Sequence, residues 1–154
     1  MSLLLTPDTP IKVSSTLDKS VGKKHLVDNN PETCWTSQQG LPQYVQIAFP
    51  DCRVVPESVH LTFQGGFVGT RCAVKVPRLA ASAGDGDNWQ LVTRIFPEDV
   101  NRRQEFSLLN SSTESGAGAT LDDGIDKVRL EFEESSDFFG RITLYDLKLY
   151  GRTV

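Results

Sequence analysis

His25-Leu-Val-Asp28-Asn-Asn-Pro-Glu-Thr33-Cys-Trp35-Thr-Ser37 is a polar turn that ends in a tryptophan. Asn-Asn-Pro forces a corner, because Asn tolerates unusual backbone angles and Pro cannot continue a regular strand. Its counterpart lies far down the chain, in Arg141-Ile-Thr-Leu-Tyr-Asp146-Leu-Lys-Leu-Tyr-Gly151, an apolar strand. Read together, the two predict a β-sandwich whose chain ends are tied at one place. Such an architecture suits binding better than chemistry.

Working outward, short alternating runs dominate. Val45, Ile47 and Phe49 alternate with Tyr44, Gln46 and Ala48; Val59, Leu61 and Phe63 with His60, Thr62 and Gln64; Val128, Leu130 and Phe132 with Lys127, Arg129 and Glu131. A period of two means one buried face and one wet face. Ile11-Lys-Val-Ser-Ser is expected as the first strand. Trp89–Phe96 and Phe106–Leu109 are weaker candidates. No long stretch keeps helical spacing. Turn residues fill the gaps, as in Gln39-Gly40-Leu-Pro42, Gly65-Gly66 and Pro97-Glu-Asp99. A Gly- and Asp-rich gap over 80–88 and a Ser-, Gly- and Ala-rich gap over 110–120 read as mobile loops. Many short strands with frequent turns point to an all-β antiparallel sandwich, one domain over 11–152 behind an N-terminal tail over 1–10.

The closing strand changes phase. Ile142 and Leu144 set one parity, Leu147 and Leu149 the other. A β-bulge at Tyr145-Asp146 accounts for the slip and would re-aim Asp146. The alternative is that Tyr145 turns inward and Asp146 stays exposed.

The 154 residues carry a net charge of −4, and charged residues make up 23%. That balance provides no basic footprint for nucleic acid, which needs clustered Lys and Arg. Lys23-Lys24 and Arg102-Arg103 read as isolated, solvated pairs. No run approaches the ~20 apolar residues of a membrane span. Leu3-Leu4-Leu5 is too short for a signal-peptide core, and three widely spaced cysteines, Cys34, Cys52 and Cys72, are no disulfide framework. A nuclear or cytoplasmic monomer with no direct nucleic-acid or membrane contact is therefore expected. Asn110-Ser111-Ser112 fits a glycosylation sequon but reads as loop.

Catalytic motifs are missing. His25 and His60 belong to no nucleophile, zinc or phosphate pattern. Glu131, Glu133 and Glu134 read as a solvated strand edge. Asp85-Gly-Asp87-Asn88 opens like a calcium loop but lacks the closing Glu. The Asp28, Asn30 and Thr33 oxygens form either a centre for a hard cation or a self-capped turn. Trp35 is expected in the core; Trp89 is open to either reading. The turns Phe63-Gln64-Gly-Gly-Phe67 and Asp137-Phe138-Phe139-Gly-Arg141 supply candidate partner-binding residues: Gln64, Phe67, Phe138, Phe139 and Arg141. Exposed, these rings with a rim arginine have the profile of a protein-binding hot spot; buried, they plug the end of the sandwich.

The pattern Asp28-x-x-x-x-Thr33-x-Trp35-x-Ser37, then Gln43-Tyr-Val-Gln-Ile, then Arg141-Ile-x-Leu-x-Asp-Leu-x-Leu-Tyr-Gly151 resembles the discoidin domain, also called coagulation-factor type C or galactose-binding-like. The likeness runs from Ile11 to Gly151. It implies an eight-stranded jelly roll and a structural calcium ion held by the His25 carbonyl, Asp28, Asn30, Thr33, the Tyr145 carbonyl and Asp146. Secreted relatives join their chain ends with a disulfide, which these cysteines do not permit. Of the hydrophobic loop spikes of membrane-binding relatives, only Phe67 is an expected imitation. Gly22-Lys-Lys-His-Leu, Glu32-Thr-Cys-Trp, Phe63-Gln-Gly-Gly-Phe67, Phe96-Pro-Glu-Asp99 and Asp137-Phe-Phe-Gly-Arg141 resemble a small single-domain branch of the family. That likeness implies a nuclear protein that associates with an orphan nuclear receptor and represses its transactivation by hindering its binding to DNA. The alternatives are a lectin-like carbohydrate-binding module, expected to expose Trp35 or Trp89, and a calcium-stabilised scaffold subunit of a larger assembly.

Overall fold

The computed structural model describes residues 2–77, 89–108 and 124–154. Both expected mobile loops, the Asp85 segment and the Asn110 sequon lie outside these described residues. Ten strands appear among the described residues: β1 (Ser2–Leu3), β2 (Ile11–Val13), β3 (Trp35–Thr36), β4 (Gln43–Ala48), β5 (Val54–Phe63), β6 (Arg71–Pro77), β7 (Trp89–Ile95), β8 (Arg103–Ser107), β9 (Lys127–Glu134) and β10 (Thr143–Thr153). One antiparallel sheet runs β1-β10-β5-β8, with β3 also on β10; the other runs β2-β4-β9-β6-β7. The expected all-β sandwich is therefore present, with ten strands rather than eight. The additional short strands are β1 and β3, which pair along the same edge of β10.

The alternating runs place their apolar members in the core. Val45 and Ile47 of β4, Val59, Leu61 and Phe63 of β5, and Val128, Leu130 and Phe132 of β9 are all buried. Phe63 and Phe132 meet edge to face across the two sheets, with ring centroids 5.7 Å apart, a favoured aromatic geometry. Gly69 lets the β6 entry cross this ring closely: a Cβ there would collide with the Phe132 side chain. The indole of Trp35 is fully buried and donates to the Ser15 carbonyl at 3.0 Å.

The phase change in β10 is a bulge. Leu144 pairs with Phe63 and Asp146 with Thr62, so Tyr145 is the extra residue. Leu144 and Leu147 can then both point inward, and both are buried.

Two expectations need correction. Glu131 and Glu133 do not lie on a solvated edge: β9 is the middle strand of its sheet, and the two carboxylates join an ion-pair row with Lys75, Arg71 and Arg94. The stretch 1–10, set apart as a tail, contributes β1 and the buried Leu5. The Leu4 amide donates to the Leu149 carbonyl at 2.8 Å.

Candidate functional site

Two places gather the residues singled out by sequence. The first is the Asn-Asn-Pro corner. Asp28 accepts from the Thr33 hydroxyl at 2.6 Å and the Asn30 amide at 3.0 Å, and His25 Nδ1 lies 3.0 Å from its carboxylate. Burial works against the Asp28 charge, but these hydrogen bonds outweigh it and hold the carboxyl below its usual range. Asn29 adopts the left-handed region (φ 56°). Lys148 Nζ reaches from β10 to Asn29 Oδ1 at 2.8 Å and to Asp146 Oδ1 at 3.3 Å. The tie between the chain ends thus exists, and a lysine unremarked in the sequence makes part of it.

A hard cation suits this donor set in kind. The Asp28 carboxylate and the Asn30 carbonyl lie 2.6 and 3.1 Å from the Thr33 hydroxyl that they share. Asn29, Asn30, Tyr145 and Asp146 line one cleft beside them. The Asn30 side-chain oxygen is turned away, accepting from the Glu32 amide. Among the described residues no cluster of three or more His, Cys, Asp and Glu stands ready for a metal. The three cysteines are unpaired, and burial pushes the Cys72 thiol far up.

The second place is one end of the sandwich, where three loops meet. Phe138 is 94% exposed, Phe139 53% and Leu41 43%. The two phenylalanines stack edge to face at 5.2 Å. Arg141 lies over the half-buried Phe67 ring at 5.2 Å and beside Phe139 at 5.8 Å. Of the two readings of these rings, the exposed one holds for Phe138 and Phe139. The protruding spikes are these two and not Phe67. Gln64 accepts from the Tyr145 hydroxyl at 3.4 Å.

This tip is braced. Asp137 accepts both the Arg141 amide at 3.0 Å and its Nε at 3.1 Å. The Arg141 side-chain bond, against the opposing effect of burial, holds the Asp137 carboxyl below its usual range. Ser135 donates to the Arg141 carbonyl at 2.7 Å, and the Gly40 amide donates to the Phe139 carbonyl at 2.9 Å. Asp99 accepts from the Gly66 amide at 2.8 Å and from Ser136 at 3.1 Å, clamping the Gly-Gly turn to the Phe-Phe loop. Gly140 takes φ 82°, which only glycine adopts cheaply. Exposed rings on a braced loop lose little freedom when a partner covers them.

Neither tryptophan offers the open platform that the lectin-like alternative requires, and Trp35 lies in the core as expected. Trp89 is half-buried, with the Arg129 guanidinium 4.7 Å from its ring and 4.1 Å from that of Tyr44. On the outer face of β5, His60 is wedged against the Tyr150 ring at 4.6 Å and contacts Arg103. Burial, then the positive charges of Arg103 and Lys148, lower its pKa, while Glu105 and Asp146 oppose them.

The architecture is shared with solved binding modules. A family 32 carbohydrate-binding module of C. perfringens NanJ, solved with galactose, superposes with a TM-score of 0.70 at 14% identity, covering 96% of this chain and 97% of that one. A chitosan-binding module of a Paenibacillus chitosanase/glucanase gives 0.68 at 15% identity, covering 93% and 95%. The fold is therefore that of a discoidin-type, galactose-binding-like module. No protein-family model matches the chain. Sequence relatives do: nuclear receptor 2C2-associated protein of Mus musculus is 35% identical over 151 residues (96% of this chain, 94% of the relative). That of Danio rerio is 38% identical over 151 residues (96% and 94%), and that of Homo sapiens 34% over 154 (98% and 97%). The chain belongs to the family of nuclear receptor 2C2-associated proteins.

Proposed function

We propose that this protein is a nuclear co-regulator that docks on a nuclear receptor through its Phe138–Phe139 tip and represses transactivation by hindering the receptor's binding to DNA. The observation that carries the reading is a pair of exposed rings on a loop that Asp137, Ser135 and Asp99 brace. Family membership supplies the class of partner. With a net charge of −4, the protein acts by covering the receptor rather than by occupying DNA. It works as a monomer, in the nucleus, the cytoplasm or both. The carbohydrate-binding reading has less support, since one tryptophan is buried and the other is covered by an arginine.

The same reading includes a structural calcium ion at the corner. Asp28, Asn30, Thr33 and Asp146 would hold it together with the His25 and Tyr145 carbonyls. It would supply charge that fastens the two chain ends, with no part in any reaction.

The test is a gel shift with purified receptor and its response element. Adding this protein is expected to reduce the receptor–DNA band. Phe138→Asp is expected to abolish the effect while leaving the melting temperature unchanged, because the ring is almost wholly in water. A shift of the DNA by this protein alone, or full activity of the Asp variant, would overturn the reading.

A further inference from the structure

The sequence presents Lys23-Lys24 as an isolated pair, but the fold adds a third cation to it. Lys12 of β2 stands on the rim of the same cleft as Lys23 and Lys24, a depression of about 370 Å³. Its apolar lining comes from Pro7, Pro10, Ile11 and Val27, and no Asp or Glu contributes to it. All three lysines are exposed, and no carboxylate lies within 4 Å of them among the described residues. Farther across the same sheet the cations are matched, Lys75 to Glu131 and both Arg71 and Arg94 to Glu133. Three unmatched ammonium groups held together over an apolar floor are therefore a local reversal of charge in an acidic chain.

The cleft is separate from the tip. β4 begins at Gln43, whose side-chain amide donates to the Gly40 carbonyl beside the Phe139 loop, and ends at Ala48 in the cleft wall. Five strand steps put the two roughly 17 Å apart. Both can be occupied at once.

We propose that this cleft binds an acidic protein segment: an extended stretch carrying two or three carboxylates and an aliphatic side chain. The aliphatic group covers Pro10, Ile11 and Val27, and the carboxylates meet Lys12, Lys23 and Lys24. Charge complementarity selects the partner, since the floor alone would accept any apolar side chain. The apolar contact in turn separates it from a free anion, which has nothing to place on the floor. An acidic activation-type segment has this chemistry; a basic segment does not.

The experiment uses the full chain and a fluorescein-labelled peptide of alternating glutamate and leucine, read by anisotropy. Binding is expected, weakening as salt rises. A lysine–leucine peptide of equal length is expected to stay free. The triple variant Lys12→Glu, Lys23→Glu, Lys24→Glu should lose roughly tenfold or more in affinity, because attraction becomes repulsion at three sites. The neutral variant Lys12→Gln, Lys23→Gln, Lys24→Gln should fall between, and circular dichroism checks that both remain folded. Phe138→Asp is expected to bind the peptide as the parent does, so failure here and failure of receptor docking are told apart. Equal binding of both peptides, undiminished binding by the triple variant, or capture of single-stranded RNA in preference to the acidic peptide would overturn the proposal.

Discussion

Asp137 shows how one side chain turns loop sequence into a presented surface. Its carboxylate takes two N–H groups of Arg141, and Arg141 in turn covers Phe67 and flanks Phe139. Asp137→Ala is expected to cost about 1–2 kcal/mol in chemical denaturation and to weaken receptor docking although the residue contacts no partner directly. His60 gives a pH effect of known sign. Its folded pKa lies below the ordinary value of about 6.5, so the unfolded chain takes up the proton first as pH falls. The stability this group contributes is thus present at neutral pH and drains away below about 6.5, until the folded value is passed. The groups facing it are Arg103 and Glu105 from β8 and Asp146, Lys148 and Tyr150 from β10. His60→Gln is expected to flatten the loss between neutral and mildly acidic pH; parallel slopes for both proteins in urea titrations would refute this.

At the scale of elements, β10 decides the fold. The bulge at Tyr145 sets Leu144 and Leu147 on the same side although an even-numbered spacing would normally be needed. Deleting Tyr145 restores a strict two-residue period, so that Ile142, Leu144, Leu147 and Leu149 share the inward face without a bulge; deleting Lys148 instead puts Leu147 and Leu149 on opposite faces. The Tyr145 deletion is expected to keep its β circular-dichroism spectrum, whereas the Lys148 deletion is expected to lose it and to elute as aggregate. This device was legible in the sequence, because a parity break inside an apolar strand points directly to an inserted residue. The alternating faces of β4, β5 and β9 were legible from their period of two. β1 was not, since Ser2–Leu3 is too short to show a period and exists only by pairing with β10. The place of β9 within its sheet was hidden too, as strand order is a matter of long-range pairing. At the candidate sites, the local turns were readable from Gly, Asn and Asp. Lys148 at the corner and Lys12 beside Lys23 were not, because sheet register and not sequence spacing brings them there.

The whole molecule carries separate surfaces on a single core: a braced aromatic tip, a polar corner joining the chain ends and a basic cleft. Fastening the corner should act globally, since it clamps β10 to the turn before β3. Millimolar calcium is expected to raise the melting temperature by about 5 °C, and a chelator to reverse it. Asp28→Asn and Asp146→Asn should each abolish that response in differential scanning fluorimetry. An unchanged melt in the parent protein would leave Lys148 as the cation that fastens the corner.

The order in which the strands are made carries a consequence for biogenesis. β10 occupies the interior of its sheet, yet it leaves the ribosome after β1, β3 and β5, all of which wait for it. Until then the inward row of Val59, Leu61 and Phe63 has no hydrogen-bonded neighbour on that flank, and the nascent polypeptide exposes a sticky, half-built layer. Premature termination before Thr143 would therefore yield a product fit for chaperones and proteases, however complete its other sheet.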